Sequence, residues 1–276
     1  MFAVDHSATA LLLKRRFPSV PMTPLLVSVQ AMELAWVALN YLGVEHTTTA
    51  ASVRSVADIH LAYIPYSHSV ATATAAALVT WWTIERGFGR RALGRAVAIG
   101  IISHLILDLA THAPDIALWP GSRFPLLGLG LYSGAPSAAF VVELLYGVLC
   151  WWVYRGSRAL LVLLVAGNVA NVSFFFAGIA GPEELLAGHP LLVVTVVFVQ
   201  IVTMLVLVGM MSSKPAALPE AASLHAISWR LETGKGERAA EGDLRSVRSY
   251  GVIEATQRAE KVTARSYDSE ARRLWK

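Results

Sequence analysis

The sequence has few charged residues, a single cysteine and no strong excess of either sign of charge. Charged residues make up 15% of its 276 positions, whereas they make up about a quarter of an ordinary soluble domain. The net charge of +4 is too small and too diffuse to indicate nucleic-acid binding. Cys150 is the only cysteine, which excludes a disulfide within the chain and a cysteine-rich metal site. A GxGxxG phosphate loop, a Walker motif and an internal repeat are also absent.

Hydrophobic residues dominate the chain instead, at 55% of all positions and with a mean hydropathy of +0.54. This balance indicates a membrane protein. Residues 1–211 contain 11 Lys and Arg and 10 Asp and Glu, whereas residues 212–276 contain 12 and 9. The sequence therefore predicts a transmembrane helical domain over residues 1–211 and a charged tail over residues 212–276. We expect the tail to be disordered, because it has too few large apolar residues to bury a core.

Long apolar runs predict the membrane spans. A span needs about 20 mostly apolar residues at a rise of about 1.5 Å each. The shorter run Phe2–Leu13 predicts an additional N-terminal helix. We therefore expect an all-α fold, a polytopic membrane bundle of six transmembrane helices plus this short helix. The six predicted spans are Met22–Gly43, Tyr66–Ile84, Arg91–His112, Pro136–Tyr154, Arg158–Ala180 and Pro190–Met211.

The placement of Lys and Arg predicts the orientation of these spans. Basic residues crowd the segment from Lys14 to Arg16 and the connection from Arg86 to Arg95. Connections rich in Lys and Arg face the cytoplasm. We therefore expect a multi-pass protein of the bacterial inner membrane with a cytoplasmic C-terminal tail.

The third predicted span carries three ionisable residues at spacings of four: His104, Asp108 and His112. Each ionisable group within a span costs about 2.5 to 3.5 kcal/mol on insertion scales, so such residues indicate function. His104 and Asp108 share one helix face and can hold one divalent cation, zinc or manganese. His112 lies about 12 Å along the axis from His104, which leaves a second-metal ligand, a substrate contact or a proton carrier. The alternative is a buried His–Asp hydrogen bond that only joins helices.

Other acidic groups and histidines fall at the same predicted depth. His68 opens the second span and His6 opens the N-terminal helix, both on the external side. Glu33 and Glu143 lie about seven to ten residues below that side, which brings them to the level of His104. Either glutamate can be a ligand or a general base. The sequence therefore predicts a site near the external leaflet.

Two short motifs carry a resemblance to a known family. They are Tyr66-Ser67-His68-Ser69 and Ser103-His104-Leu105-Ile106-Leu107-Asp108. With them, residues 1–155 resemble the YdjM-like membrane-bound metal-dependent hydrolases. The resemblance implies that His68, His104 and Asp108 are metal ligands, that His6 matches an early histidine and that Glu143 matches an acidic position. We therefore expect His6 to be a further metal ligand beside His68, His104 and Asp108. Glu33 stands where the closer subgroup has aspartate, so it is either a ligand with altered geometry or no ligand.

Three functions remain open at this point. The first is a metal-dependent hydrolase of an ester or phosphoester in a lipid-like substrate, with Glu33, Glu143 or His112 moving the proton. The second is a transporter of metal ions or protons that uses the same buried cluster. The third is a membrane anchor for an interacting tail. The expected partners are membrane lipids and a lipid-like substrate, not nucleic acid, and protein partners stay open.

Overall fold

A computed structural model describes residues 1–122 and 124–212 of the chain. The predicted C-terminal tail, apart from Ser212, lies outside the described residues. The described residues are mostly helical. Their α-helices are α1 (Ala3–Arg16), α2 (Met22–Val29), α3 (Ala31–Tyr41), α4 (Val70–Trp82), α5 (Arg91–Thr111), α6 (Leu131–Gly134), α7 (Pro136–Tyr154), α8 (Arg158–Val169) and α9 (Pro190–Ser212).

Three of these helices are long and apolar enough to cross a membrane: α5 with 21 residues, α7 with 19 and α9 with 23. Helices α2 and α3 count as a fourth candidate if they form one span, although they meet at an angle of 55°. The structure thus has the helices of a membrane protein, with three or four candidate spans. The sequence predicted six spans plus a short N-terminal helix, so the described residues confirm only part of that number.

Two of the predicted spans are shorter than expected. The second begins only at Val70, after the Ser69 hydroxyl accepts a hydrogen bond from the Thr72 N–H at 3.3 Å, and it continues into a π-helical turn at Thr83–Gly87. The fifth ends at Val169 rather than Ala180. Near that end, the Asn171 side chain donates to the Gly167 carbonyl at 2.8 Å. Such bonds from side chains compete with the helical ladder and favour its termination.

Short strands occur where the sequence predicted only loops, so the fold is not purely α-helical. Strands β1 (His46–Thr49) and β2 (Ile59–Tyr63) form an antiparallel pair. Strands β3 (Ile116–Ala117) and β4 (Leu126–Leu127) form another. The run of threonines in β1 fits β structure because β-branched side chains suit an extended backbone. Strands of two to five residues cannot be predicted from apolar runs of about 20 residues, which is the length that a membrane span needs.

The connection between β1 and β2 is closed by Asp58. The Asp58 carboxylate accepts hydrogen bonds from the backbone N–H groups of Arg54 and Ser55, both at 2.9 Å, and from the Ser55 hydroxyl at 3.1 Å. Burial opposes ionisation of this carboxyl, but these hydrogen bonds lower its pKa below the ordinary value. Asp58 therefore has a structural role in ordering the hairpin.

Helix α1 occupies the interior of the helical body. Ten of its fourteen residues are buried, and it contacts α2, α5, α7, α8 and α9. Small side chains at Ser7, Ala8 and Ala10 permit this close packing. The Gln30 amide donates to the Ala3 carbonyl at 2.7 Å and to the Ser7 hydroxyl at 3.1 Å, which joins α1 to the break between α2 and α3. This packing carries His6 into the interior of the protein.

Helix α5 approaches α2 closely at Gly100. A Cβ atom at this position would lie 2.1 Å from the Ser28 hydroxyl oxygen and 2.8 Å from its Cβ. Only glycine allows this approach without a backbone shift. Because His104 lies one turn further along α5, the contact also fixes the distance between the His104 ring and the end of α2.

Candidate metal centre

Four side chains from three parts of the chain converge in the interior: Glu33 of α3, His68 of the segment before α4, and His104 and Asp108 of α5. One potential ligand atom from each lies within 4.8 Å of all the others. His104 and Asp108 meet because residues four apart share a helix face. The convergence of His68, His104 and Asp108 that the sequence predicted is therefore present, and Glu33 joins them.

The separations within this cluster fit one small cation. The Asp108 Oδ2 atom lies 3.0 Å from His104 Nε2 and 3.6 Å from His68 Nε2. The Glu33 Oε2 atom lies 3.5 Å from both of these nitrogens. Ligand atoms of a tetrahedral site with bonds of about 2.1 Å are about 3.4 Å apart. The four atoms can therefore surround one ion with only small adjustments.

The His104 ring is oriented by a backbone carbonyl. Its Nδ1 atom lies 2.9 Å from the Val29 carbonyl oxygen. A carbonyl can only accept, so Nδ1 carries a proton, and in a neutral ring the lone pair of Nε2 faces the cluster. Val29 is the last residue of α2, and the final carbonyls of a helix have no partner within it. The break at Gln30, which sequence reasoning missed, thus supplies the acceptor that orients His104.

Among the described residues, most of the buried ligand atoms lack a hydrogen bond. Three of them, His68 Nε2, His104 Nε2 and Asp108 Oδ2, make no hydrogen bond within residues 1–122 and 124–212. Buried polar atoms are normally satisfied, and an exception calls for an explanation. A cation at the common centre would satisfy all three at once. The donor set of two imidazoles and two carboxylates suits zinc and also manganese.

His6, which the sequence predicted as a ligand, lies beside the cluster and outside the set of four. Its Nε2 atom is 3.2 Å from Asp108 Oδ1, and its ring stacks on His104 with 3.9 Å between centroids. The same Oδ1 accepts a hydrogen bond from the amino group of Met1 at 2.7 Å. One Asp108 oxygen thus faces α1 and the other faces the cluster. A ligand role for His6 stays a prediction.

The three residues predicted to move protons lie in different environments. Glu33 belongs to the cluster itself, with 20% of its side chain exposed. His112 borders the cluster: its Nε2 lies 3.7 Å from Asp108 Oδ1, its Nδ1 lies 3.4 Å from Asp115 Oδ1, and its ring stacks on His68. His112 is therefore close enough to exchange protons with groups at the cluster. Its role as a proton carrier stays a prediction.

Glu143 belongs to a separate buried acidic group. It accepts a hydrogen bond from the Tyr132 hydroxyl at 2.5 Å. Asp5 is also buried and accepts from the Asn168 amide at 3.4 Å. Within the described residues, no ion pair joins Glu143 to the metal cluster. Glu143 is buried and contacts Tyr132, so its role as a base at the cluster stays a prediction.

Glu45 is a buried acid whose role sequence reasoning missed. Only 1% of it is exposed, and it accepts hydrogen bonds from the backbone N–H groups of Tyr66 and Ser67, both at 2.8 Å. It also accepts from the Ser67 hydroxyl, whose oxygen in turn lies 2.8 Å from His68 Nδ1. In the sequence, Glu45 is visible only as a charged residue next to the end of an apolar helix. That position does not predict which groups it contacts.

A cavity of about 320 Å³ borders the cluster. Its polar side includes His6, Glu33 and His112. A cavity that is mostly apolar with a few polar groups at one end is typical of sites for small, largely apolar ligands. The rest of its wall is largely apolar and includes Phe2, Trp36, Ile59, Leu186, Val193 and Val196.

Neither a protein-family model nor a curated protein nor a solved structure matches the chain. The resemblance to the YdjM-like hydrolases therefore depends on the sequence motifs alone and stays a prediction. The interpretation of the cluster depends on its own geometry.

Proposed function

We propose that this chain is a membrane-embedded metal-dependent hydrolase that cleaves an ester or phosphoester bond in a lipid-like substrate. One observation carries the proposal. Buried atoms of His68, His104 and Asp108 that make no hydrogen bond among the described residues lie, together with Glu33, at the spacing that one divalent cation requires. The sequence resemblance to the YdjM-like hydrolases supports the same conclusion, since His68, His104 and Asp108 are the residues that it singles out.

We propose zinc or manganese as the cation, held by Glu33, His68, His104 and Asp108. Bound there with a fifth coordination position open to water or substrate, it would act as a Lewis acid on the scissile group and lower the pKa of that water from 15.7 towards about 7. Glu33 is the ligand nearest to solvent and borders the cavity, so it separates the cation from an arriving substrate. The two imidazoles approach from the protein side.

His112 is the best placed of the three predicted proton carriers. It borders the cavity and the cluster, and the Asp115 carboxylate lies within 3.4 Å of its Nδ1 atom. A histidine with a carboxylate beside one nitrogen can take up a proton at the other. We therefore propose that His112 carries the proton between the attacking water and the leaving group.

We further propose an inner-membrane protein with six spans around the buried N-terminal helix and a cytoplasmic tail. Helix α5 supports this orientation because it begins at Arg91 and carries His104 and Asp108 in its last two turns. Basic residues favour the cytoplasmic end of a span. The cluster would therefore lie near the external leaflet, where a lipid can enter between helices.

Reconstitution tests this function. The purified chain in vesicles of phosphatidylethanolamine and phosphatidylglycerol should release a product of ester or phosphoester cleavage. A chelator should stop the release, and zinc or manganese should restore it. A metal-sensitive dye trapped in the same vesicles tests the transporter alternative. Metal flux without turnover of any lipid would overturn the hydrolase proposal.

The cavity makes a prediction about lipid binding. Val193 is buried in α9 and lines the cavity, so Val193→Phe should fill part of the space that an acyl chain needs. We expect at least a several-fold loss of lipid that stays bound when the protein is released from detergent, as measured by native mass spectrometry. Val199 lies on the same helix and is 56% exposed, so Val199→Phe is the matched control. Equal retention by both variants would argue against a chain in this cavity.

A further inference from the structure

A chain of hydrogen bonds runs from Glu45 to the metal cluster. Glu45 precedes β1, and its Oε2 atom accepts from the Ser67 hydroxyl at 2.5 Å. The Ser67 oxygen lies 2.8 Å from Nδ1 of the next residue, His68. On the far side of the ring, His68 Nε2 lies 3.5 Å from Glu33 Oε2 and 3.6 Å from Asp108 Oδ2. The chain therefore ends at the proposed cation.

The number of protons fixes the direction of this chain. A serine hydroxyl has one hydrogen to donate, and Ser67 directs it at Glu45. Its oxygen can then only accept from His68, so the His68 proton must sit on Nδ1. In a neutral ring the Nε2 atom is then left with a lone pair that points into the cluster, and it makes no hydrogen bond among the described residues. A neutral imidazole binds a metal ion through such a lone pair.

We infer that Glu45 is a positioning residue that acts through Ser67 to hold His68 in the form that binds a cation through Nε2. The inference depends on the metal centre of the proposed function and adds the group that prepares one of its ligands. Carboxylates that orient metal-binding histidines from outside are a general feature of metal sites. Here the serine stands between the carboxylate and the ring.

The second imidazole of the cluster is prepared in another way. His104 Nδ1 faces the backbone carbonyl of Val29, which no substitution removes. His68 therefore offers the one ring whose orientation depends on side chains that can be changed. Glu45 also accepts from the backbone N–H groups of Tyr66 and Ser67, so a test must separate proton direction from the ordering of this segment.

Glu45→Gln achieves that separation. The glutamine oxygen can still accept from the two backbone N–H groups, which keeps the segment in place. Its amide nitrogen, however, must donate to the Ser67 oxygen, and the serine hydrogen then turns towards His68 Nδ1. That reversal moves the His68 proton to Nε2, where it faces the cluster. We expect the affinity for zinc to fall about 10- to 100-fold, as is usual for such outer groups, and Ser67→Ala should act in the same direction.

The chain contains a matched control pair. Glu183 is buried and accepts from the Ser173 hydroxyl at 2.7 Å. Within the described residues, neither of these side chains makes an ion pair or hydrogen bond with the cluster. Glu183→Gln and Ser173→Ala should therefore leave zinc affinity within about twofold of wild type, at a comparable loss of thermal stability. Calorimetric titration of the purified proteins with zinc gives the affinities.

Nitrogen-15 NMR of histidine-labelled protein gives a second readout that needs no variant. In the zinc-loaded wild type, His68 should carry its proton on Nδ1. A proton on Nε2, or wild-type zinc affinity in Glu45→Gln, would overturn the positioning role even if the metal centre is real. Absence of zinc binding by the wild type would instead overturn the metal centre. The His68 signal of the metal-free protein would still report the direction of the Glu45 chain, whatever the stability of the variants.

Discussion

Removal of His104 or Asp108 is expected to abolish stoichiometric metal binding. Wild-type protein, purified and loaded with zinc or manganese, should retain about one ion per chain, measured by inductively coupled plasma mass spectrometry. His104→Ala and Asp108→Asn should each lower the affinity more than about 100-fold, because they remove a ligand itself, whereas changes outside the ligand set cost about 10- to 100-fold. His189→Ala is the control, since His189 is exposed and outside the cluster.

Thermal unfolding provides an independent measurement of the same effect. A ligand that binds only the folded state stabilises it, by about 2.7 kcal/mol at a free concentration of about 100 times Kd. Added zinc should therefore raise the unfolding temperature of wild type and His189→Ala but not of His104→Ala or Asp108→Asn. Stoichiometric metal in both ligand variants would show that the ion binds elsewhere. A wild type that holds no metal would leave only a buried group of histidines and carboxylates that joins α5 to its neighbours.

The loss of stability in the metal-free variants also carries information. Asp108 Oδ1 lies near the His6 ring and the Met1 amino group, so Asp108→Asn removes a charge that several buried groups share. Breaking a buried ion pair by removing one partner costs about 3 to 5 kcal/mol. His104→Ala removes one ring and keeps the carboxylate. Loss of metal binding in both, despite this difference, would show that binding fails through the ligands and not through unfolding.

Part of this site could be predicted because it follows from local geometry. His104 and Asp108 are four residues apart in an apolar run, and that spacing places them on one face of any helix. His68 and Glu33 could be brought to the same depth because span lengths and the distribution of Lys and Arg set the level of each residue. These arguments use only distance along a helix axis. They cannot predict in which direction around that axis a side chain points. Glu143, for example, contacts Tyr132 and is not one of the four cluster residues.

The missed features depend on contacts between distant parts of the chain. Gln30 interrupts an apolar run without a proline or glycine, and its side chain bonds with Ala3 and Ser7 of α1. Glu45 is separated by more than 20 residues from the serine it contacts. Neither contact can be predicted from periodicity. A hydropathy pattern shows which face of a helix is buried, but it does not show which residue packs against that face. The sequence placed the start of the short N-terminal helix on the external side, but no pattern in it predicted that tertiary packing buries this helix among the others.

Substitution of His112 should separate metal binding from turnover. His112 lies outside the four ligands, so His112→Ala should keep about one metal ion per chain. Loss of a proton carrier typically lowers the rate about 10²- to 10⁴-fold, and we expect product release from vesicles to fall within that range.

His60→Ala is the control for this experiment, because His60 is an exposed residue of β2 that lines the same cavity and makes no ion pair with the cluster among the described residues. Its turnover should stay within a few-fold of wild type. If His112→Ala turns over normally, the proton must travel through another group, and Glu33 is then the nearest candidate at the cavity wall. If His112→Ala loses metal, His112 is itself a ligand. Its Nε2 atom lies 3.7 Å from Asp108 Oδ1, on the side of Asp108 away from the four-atom cluster, so it would then bind a second ion beside the first. The ratio of metal content to turnover in this one variant therefore decides between a proton carrier and a two-metal centre.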